Sequence, residues 1–242
     1  MRSGKPVAVF AVLLVVSFAT MNAMPSDTLL AALLQEAVLA LVALVAVGLA
    51  VPDALKRCTQ TVQQRSIVRF TAITLLLVGL VGGAITLLAW LFAGGGTMAC
   101  FASTALPSTA DLMENLLLLL GICLLTGLYE ESFMRVLGIE AFERALDTKR
   151  TILASAALFA LLHVGAPDVS AGQLVLLQTA LKFGQALLFG VILGALYVRT
   201  RRLWPCAFIH AGFDVLYMAP NVLLTGTMPE TYASGAVGDT VL

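Results

Sequence analysis

Long apolar runs alternate with short polar breaks along this chain, and their lengths predict helices that cross a bilayer. A span needs about 20 predominantly apolar residues, and seven stretches fit that pattern. They cover residues 6–24, 28–51 and 67–92, then a fourth starting near Leu112 and running through Glu130 and Glu131. A fifth begins at Thr151, a sixth covers 173–198 and a seventh runs from Leu203 to the neighbourhood of Leu224. The breaks carry turn chemistry: Pro25-Ser26-Asp27, Gly94-Gly95-Gly96 and Gly165-Ala166-Pro167-Asp168. The expected fold class is all-α, a polytopic transmembrane helical bundle. It is read as one integral membrane domain over 1–242, with a motif-bearing core at 112–224 and a polar tail at 225–242 expected to be mobile.

Composition agrees with that pattern. Hydrophobic residues make up 60% of the 242 positions and charged ones only 12%, about half the share usual in soluble domains. A net charge of zero and the lack of a basic cluster argue against nucleic acid as a partner. The four cysteines, Cys58, Cys100, Cys123 and Cys206, are isolated, so neither a zinc knuckle nor a disulfide framework is indicated. They read as small packing residues, Cys100 being the candidate for exposure. The N-terminal run looks like a signal peptide, but a cut after Ala23 would put Met21 where a small residue is needed. It is therefore expected to be a retained first span.

Charge then sets the expected orientation. With the N-terminus inside, Arg2, Lys5, Lys56, Arg57, Arg65, Arg69, Arg144, Lys149, Arg150, Arg199, Arg201 and Arg202 all fall on the cytoplasmic side. The remaining two of the fourteen, Arg135 and Lys182, lie inside apolar segments. The partition predicts an N-terminus inside and a C-terminus outside. Lys182 fits either of two pictures, snorkelling outward or an interfacial segment before Phe183.

Candidate chemistry collects in one leaflet. His163 lies twelve residues after Thr151, about 18 Å into the bilayer at helical rise, and His210 seven after Leu203, about 10 Å in. Glu130 and Glu131 precede the cytoplasmic turn at Asp147. Ionisable groups at membrane depth are costly and mark functional sites. Glu131 and Arg135 share a helix face and can pair, while Glu130 is rotated by about 100° and points elsewhere. A desolvated carboxylate suits a general base. Imidazoles can donate to an oxyanion or bind a metal through a neutral nitrogen. No G-x-S-x-G elbow surrounds Ser132, and no H-E-x-x-H occurs. Water activated by glutamate and attacking a peptide carbonyl is the most economical chemistry; a zinc version would use His163, His210 and a carboxylate.

Each residue also has a plainer reading. Glu131–Arg135 alone is a structural ion pair, and a single membrane histidine is an interhelical hydrogen bonder. Gly190 and Gly194 read as close helix packing, Phe159 as core and Trp204 as an interfacial anchor.

In order, the chain carries Glu130-Glu131-x-x-x-Arg135, Phe159-x-x-x-His163, Phe189-Gly190-x-x-x-Gly194 before Arg199 to Pro205, and His210-x-x-x-Asp214. Together these resemble the CPBP family of intramembrane proteases (CAAX proteases and bacteriocin-processing enzymes, also called Abi) over roughly residues 116–218. The first three spans match nothing specific. The resemblance implies that Glu130 activates water, with Glu131 and Arg135 in support, and that His163 and His210 bind and polarise the scissile carbonyl. Asp214, one turn from His210, would orient the imidazole. The family also uses Asn there, and an ionised Asp cannot donate to an oxyanion. Both a metal-free glutamate mechanism and a divalent metal such as zinc, held by Glu130, His163 and His210, remain open.

The implied activity is an intramembrane endopeptidase acting on a peptide or membrane-associated protein in the lipid bilayer, with a bacterial inner membrane as the expected location. Prenylated substrates belong to only some members. The competing readings are a non-catalytic scaffold or immunity-type protein keeping the fold, and an ion-coupled transporter. Transport predicts internal repeats or paired broken helices, which the sequence lacks. Oligomeric state is not legible.

Overall fold

The protein is described by a computed structural model covering residues 4–24, 26–58, 63–92, 107–164 and 172–228. Pro25, the Gly94–Gly96 and Gly165–Asp168 breaks, Cys100 and most of the 225–242 tail lie outside the described residues. Among the described residues every regular element is a helix. The order is α1 (Lys5–Ala23), α2 (Leu29–Ala50), α3 (Pro52–Cys58), α4 (Arg65–Phe92), α5 (Thr109–Glu131), a π-helical stretch (Ser132–Ile139), α6 (Glu140–Phe142), α7 (Thr148–Val164), α8 (Gln173–Thr200) and α9 (Leu203–Thr225).

Local chemistry explains several starts. The Thr28 hydroxyl accepts from the Ala31 amide at 3.2 Å and opens α2. Ser108 and Asp111 form a reciprocal capping box at α5, satisfying two amides that a helix N-terminus otherwise leaves orphaned. Among the described residues, six helical stretches are long and apolar enough to cross a membrane: α1, α2, α4, the continuous run through α5 to α6, α8 and α9. The fifth expected span corresponds to α7, whose 17 described residues rise only about 25 Å, less than the roughly 30 Å hydrocarbon core.

The helices that carry the motifs pack most intimately. A Cβ on Gly127 would lie 2.6 Å from the Ala207 carbonyl oxygen, so α5 and α9 meet backbone to backbone there. At Gly190 a Cβ would come within 2.9 Å of Ala156 Cα, which brings α8 onto α7 as the G-x-x-x-G spacing suggested. The N-terminal helices clad this unit: α2 lies against α5, α4 against α9, and α1 against the π-helical stretch. Phe10 of α1 packs its ring 4.8 Å from Phe133 and 5.6 Å from Phe142.

The π-helical stretch is the feature no sequence pattern announced. It begins directly after Glu131 and all eight of its residues are buried. Wider i→i+5 winding is rare and concentrates at functional sites. Here it loosens the helix's own hydrogen bonding, and the Ser155 hydroxyl of α7 donates to the Met134 carbonyl at 2.8 Å. The step from Glu131 to Arg135 runs into this π winding, and the expected pairing of the two side chains still forms, at 3.1 Å.

Ion pairs tie one end of the bundle. Arg57 of α3 donates to Glu140 at 2.9 Å, and Arg201 makes a two-pronged contact with Glu143 at 2.9 and 2.6 Å. Arg202 donates to the Arg57 carbonyl. Hydrogen bonding to Glu143 holds the Arg201 guanidinium above the ordinary arginine pKa, against the opposing effect of burial. That fork secures a left-handed backbone at Arg201 (φ 52°) in the two-residue link between α8 and α9, a conformation L residues seldom adopt.

Candidate active site

Four helices deliver the polar residues to one place. Glu130 and Glu131 end α5, Arg135 follows on the π-helical stretch, His163 stands one residue before the described end of α7, and His210 and Asp214 project from α9. His210 Nε2 is 3.5 Å and His163 Nε2 3.9 Å from the same Glu130 oxygen, Oε2. Asp214 Oδ2 approaches His210 Nε2 at 3.4 Å. On its other side the His210 ring makes a 2.9 Å hydrogen bond from Nδ1 to Glu131 Oε1. The sequence expectation had Asp214 orienting His210; the tight contact is instead with Glu131, and Asp214 shares Nε2 with Glu130.

Burial divides the cluster into two layers. Glu131 and Arg135 are completely buried, and Arg135 Nε sits 3.1 Å from Glu131 Oε2. Glu130, His163 and Asp214 keep 18%, 28% and 16% of their side-chain surface open. The inner pair thus holds His210, while the outer three reach the space a substrate could enter. Glu130 Oε2 is shielded from solvent and has no hydrogen-bond partner among the described residues, an arrangement that normally costs free energy.

Aromatic rings fix the imidazoles. Phe159 lies under both Arg135, at 4.5 Å from guanidinium carbon to ring centroid, and His163, at 4.2 Å between centroids. Phe189 meets the His210 ring edge-on at 4.8 Å. Phe159, expected only to fill core, is buried but also forms the platform between two functional side chains. His163 Nδ1 lies 2.9 Å from the Phe159 carbonyl oxygen. A carbonyl only accepts, so Nδ1 carries a proton and Nε2 is the nitrogen turned toward Glu130.

Both histidines therefore pin Nδ1 and present Nε2, the attitude that a hydrogen bond to the other ring nitrogen imposes on metal-binding imidazoles. Even so, no three His, Cys, Asp or Glu side chains among the described residues are disposed to hold a metal ion.

Two further residues join the site that the motifs did not flag. Lys182 lies within a continuous α8, so the expectation of an interfacial segment before Phe183 does not hold. It does not simply snorkel outward either: its Nζ sits over the Tyr217 ring at 5.8 Å and its charge interacts with Asp214 and Glu130. Glu36 of α2 interacts with Glu130, Asp214 and His210. The signal that could have found it is the one that found Glu130, an acidic residue within an apolar run. Of the four cysteines, Cys123 and Cys206 are buried and not in disulfides, as packing residues should be. Trp204 is 39% exposed and stacks on Phe208 at 5.5 Å, a position compatible with an interfacial anchor.

Residues 112–216 match the family model described as type II CAAX prenyl endopeptidase Rce1-like. The CPBP-type resemblance read from the motifs is supported over that region, which contains all six candidate site residues. At family level the match supports a CAAX-type intramembrane protease in an integral membrane helical bundle. No curated protein and no solved structure matches the chain.

Proposed function

We propose that the protein is an intramembrane endopeptidase in which Glu130 is the general base and His163 and His210 stabilise the oxyanion. The observation that carries this reading is the unpartnered Glu130 Oε2, faced by both Nε2 atoms at 3.5 and 3.9 Å. These distances exceed direct hydrogen bonds, as is common in substrate-free sites that tighten on binding.

Glu130 takes a proton from water as the water oxygen attacks the scissile carbonyl carbon, and the carbonyl oxygen becomes an oxyanion facing Nε2 of His163 and His210. Because each Nδ1 already carries a proton, donation from Nε2 is made by the doubly protonated imidazolium. The C–N bond then breaks, and Glu130 returns the proton to the departing amine. Glu131 holds His210 through Nδ1, and Arg135 holds Glu131. Asp214 accepts at the rim and steadies a protonated His210 without itself donating to the oxyanion. The substrate is a peptide or membrane-associated protein segment; the family description makes a prenylated C-terminal peptide the first probe to try.

The test is cleavage of a fluorogenic prenylated CAAX-type peptide by the full chain in detergent. Glu130→Gln preserves shape and is expected to lower kcat about 10²–10⁴-fold, the usual range for a general base, with the melting temperature retained. Undiminished cleavage by Glu130→Gln would sink the assignment. A wild-type protein inactive on that peptide and on unmodified membrane peptides would favour the scaffold reading.

A further inference from the structure

Of the Lys and Arg side chains, two lie inside apolar segments, Arg135 and Lys182. Arg135 is fully buried against Glu131. Lys182 is only partly buried, and a row of rings leads to it. Phe189 meets the His210 imidazole at 4.8 Å, Phe213 tilts against Phe189 at 4.9 Å, and Tyr217 stacks on Phe213 at 5.8 Å with the planes 9° apart. Lys182 Nζ ends the row, 5.8 Å from the Tyr217 centroid. An unbroken aromatic wall therefore runs from the proposed oxyanion site to an ammonium group.

The wall is fixed in place, and its far end is open. A Cβ on Gly82 of α4 would lie 2.7 Å from Tyr217 Cδ2, so α4 comes close enough to hold that ring on α9. Phe189 and Phe213 are buried, whereas Asp214, Tyr217 and Lys182 each keep part of their surface exposed. The length of the wall follows from both helices. Seven residues separate His210 from Tyr217 on α9 and Lys182 from Phe189 on α8, in each case about 10 Å at helical rise. An extended peptide advances about 3.3–3.6 Å per residue, so about three residues reach from the scissile carbonyl to the ammonium.

Charge selects what can end there. A carboxylate at membrane depth is costly without a cationic partner. Beside Glu130 and Asp214, which share the open layer of the site, it would also meet like charge. At the Lys182 end an ammonium with three N–H donors faces it instead, and a hydrogen bond between two charged groups is among the strong ones.

We propose that Lys182 is a specificity-determining residue of this site and receives the free C-terminal carboxylate of the substrate, whose last residues lie along the Phe189–Phe213–Tyr217 wall. The role rests on the protease reading above. It names the substrate class as polypeptides with an apolar C-terminal end, and it makes the enzyme measure its cut from that end.

The experiment compares four versions of one fluorogenic prenylated CAAX-type peptide on the full chain in detergent. They are the free acid, its C-terminal amide, and the acid lengthened by one and by two apolar residues. kcat/KM is measured and the cut is located by mass spectrometry. The wild-type protein is expected to favour the acid over the amide about tenfold, as for two charged groups in direct contact. Cleavage at the original bond should fall by a similar factor in the lengthened acids, whose carboxylate overshoots the ammonium. Lys182→Met should bring the acid-to-amide ratio to about one and abolish the dependence on length. Lys182→Arg, which keeps the positive charge, should retain most of the preference.

A wild-type protein that cleaves all four peptides alike overturns the proposal and leaves the protease reading standing, with no variant required to fold. An acid preference that survives Lys182→Met overturns it too, being the pattern of a lysine that only balances Asp214 and scales all four rates together. A wild-type protein inactive on all four peptides removes the protease reading and this role together.

Discussion

Arg135 is a guanidinium with no exposed surface, paired with an equally buried Glu131 at 3.1 Å and covered by the Phe159 ring. Breaking a buried pair from one side leaves a bare charge in the interior, a cost of about 3–5 kcal/mol. Arg135→Met is therefore expected to lower the melting temperature in detergent sharply. Arg135→Met combined with Glu131→Gln should recover much of that loss while activity stays low, because His210 loses its anionic anchor. If the double variant melts no higher than the single one, the pair is not the source of the stability. The Glu131–Arg135 contact was legible from sequence because a four-residue step puts two side chains on one face. Its use was not, since the third member, His210, lies 79 residues from Glu131 and no local spacing encodes that approach. Glu36 was missed for a related reason: the motifs that drew attention to the site all lie in the second half of the chain.

At the level of elements, the apolar runs located the helices well, because burial in lipid demands continuous apolar length and marks each end with polar or turn residues. The π-helical stretch after Glu131 escaped, since its sequence, SFMRVLGI, is as compatible with α winding. What distinguishes it is tertiary: Ser155 accepts the task of bonding the Met134 carbonyl. Close approach of helices was only half legible. Gly190 and Gly194 announced themselves by their spacing, whereas Gly127 stood alone between Thr126 and Leu128. That position gives a sharp expectation. A side chain at Gly127 must push against the Ala207 carbonyl, and such overpacking costs about 1–3 kcal/mol. Because Glu131 sits one turn further along α5 and His210 one residue short of the next turn of α9, Gly127→Val should separate them and lower kcat more than it lowers the melting temperature. Gly184→Ala, where a Cβ meets nothing within 4 Å, is the control and should be neutral or slightly stabilising. Equal losses from both substitutions would mean that α5–α9 contact does not govern the site.

For the whole molecule, the ion-paired end carries the argument about orientation. Arg57 follows α2, Glu140, Glu143 and Arg144 precede α7, and Arg201 and Arg202 join α8 to α9, yet these side chains line or adjoin one pocket of about 450 Å³. Three connections that the basic residues assigned to the same side thus converge at one end of the bundle. Convergence says that they share a side; the excess of Lys and Arg says which one, because basic loops are retained in the cytoplasm. We infer that this end is cytoplasmic, which places the proposed chemistry in the cytoplasmic half and makes substrates approach from that leaflet. Single cysteines read this directly. Cys123 and Cys206 are buried, so with Cys58 and Cys100 replaced by serine the background should be low. Lys149→Cys, at an exposed position in the first turn of α7, should resist a membrane-impermeant maleimide in intact cells and react only after permeabilisation. Thr227→Cys, exposed just past α9, should react in intact cells. The reverse pattern would invert the protein, leaving the site intact but opening it to the other face of the membrane. Labelling of both positions in intact cells would instead mean that one of α7, α8 and α9 does not cross, and the 17 described residues of α7 make it the first helix to re-examine.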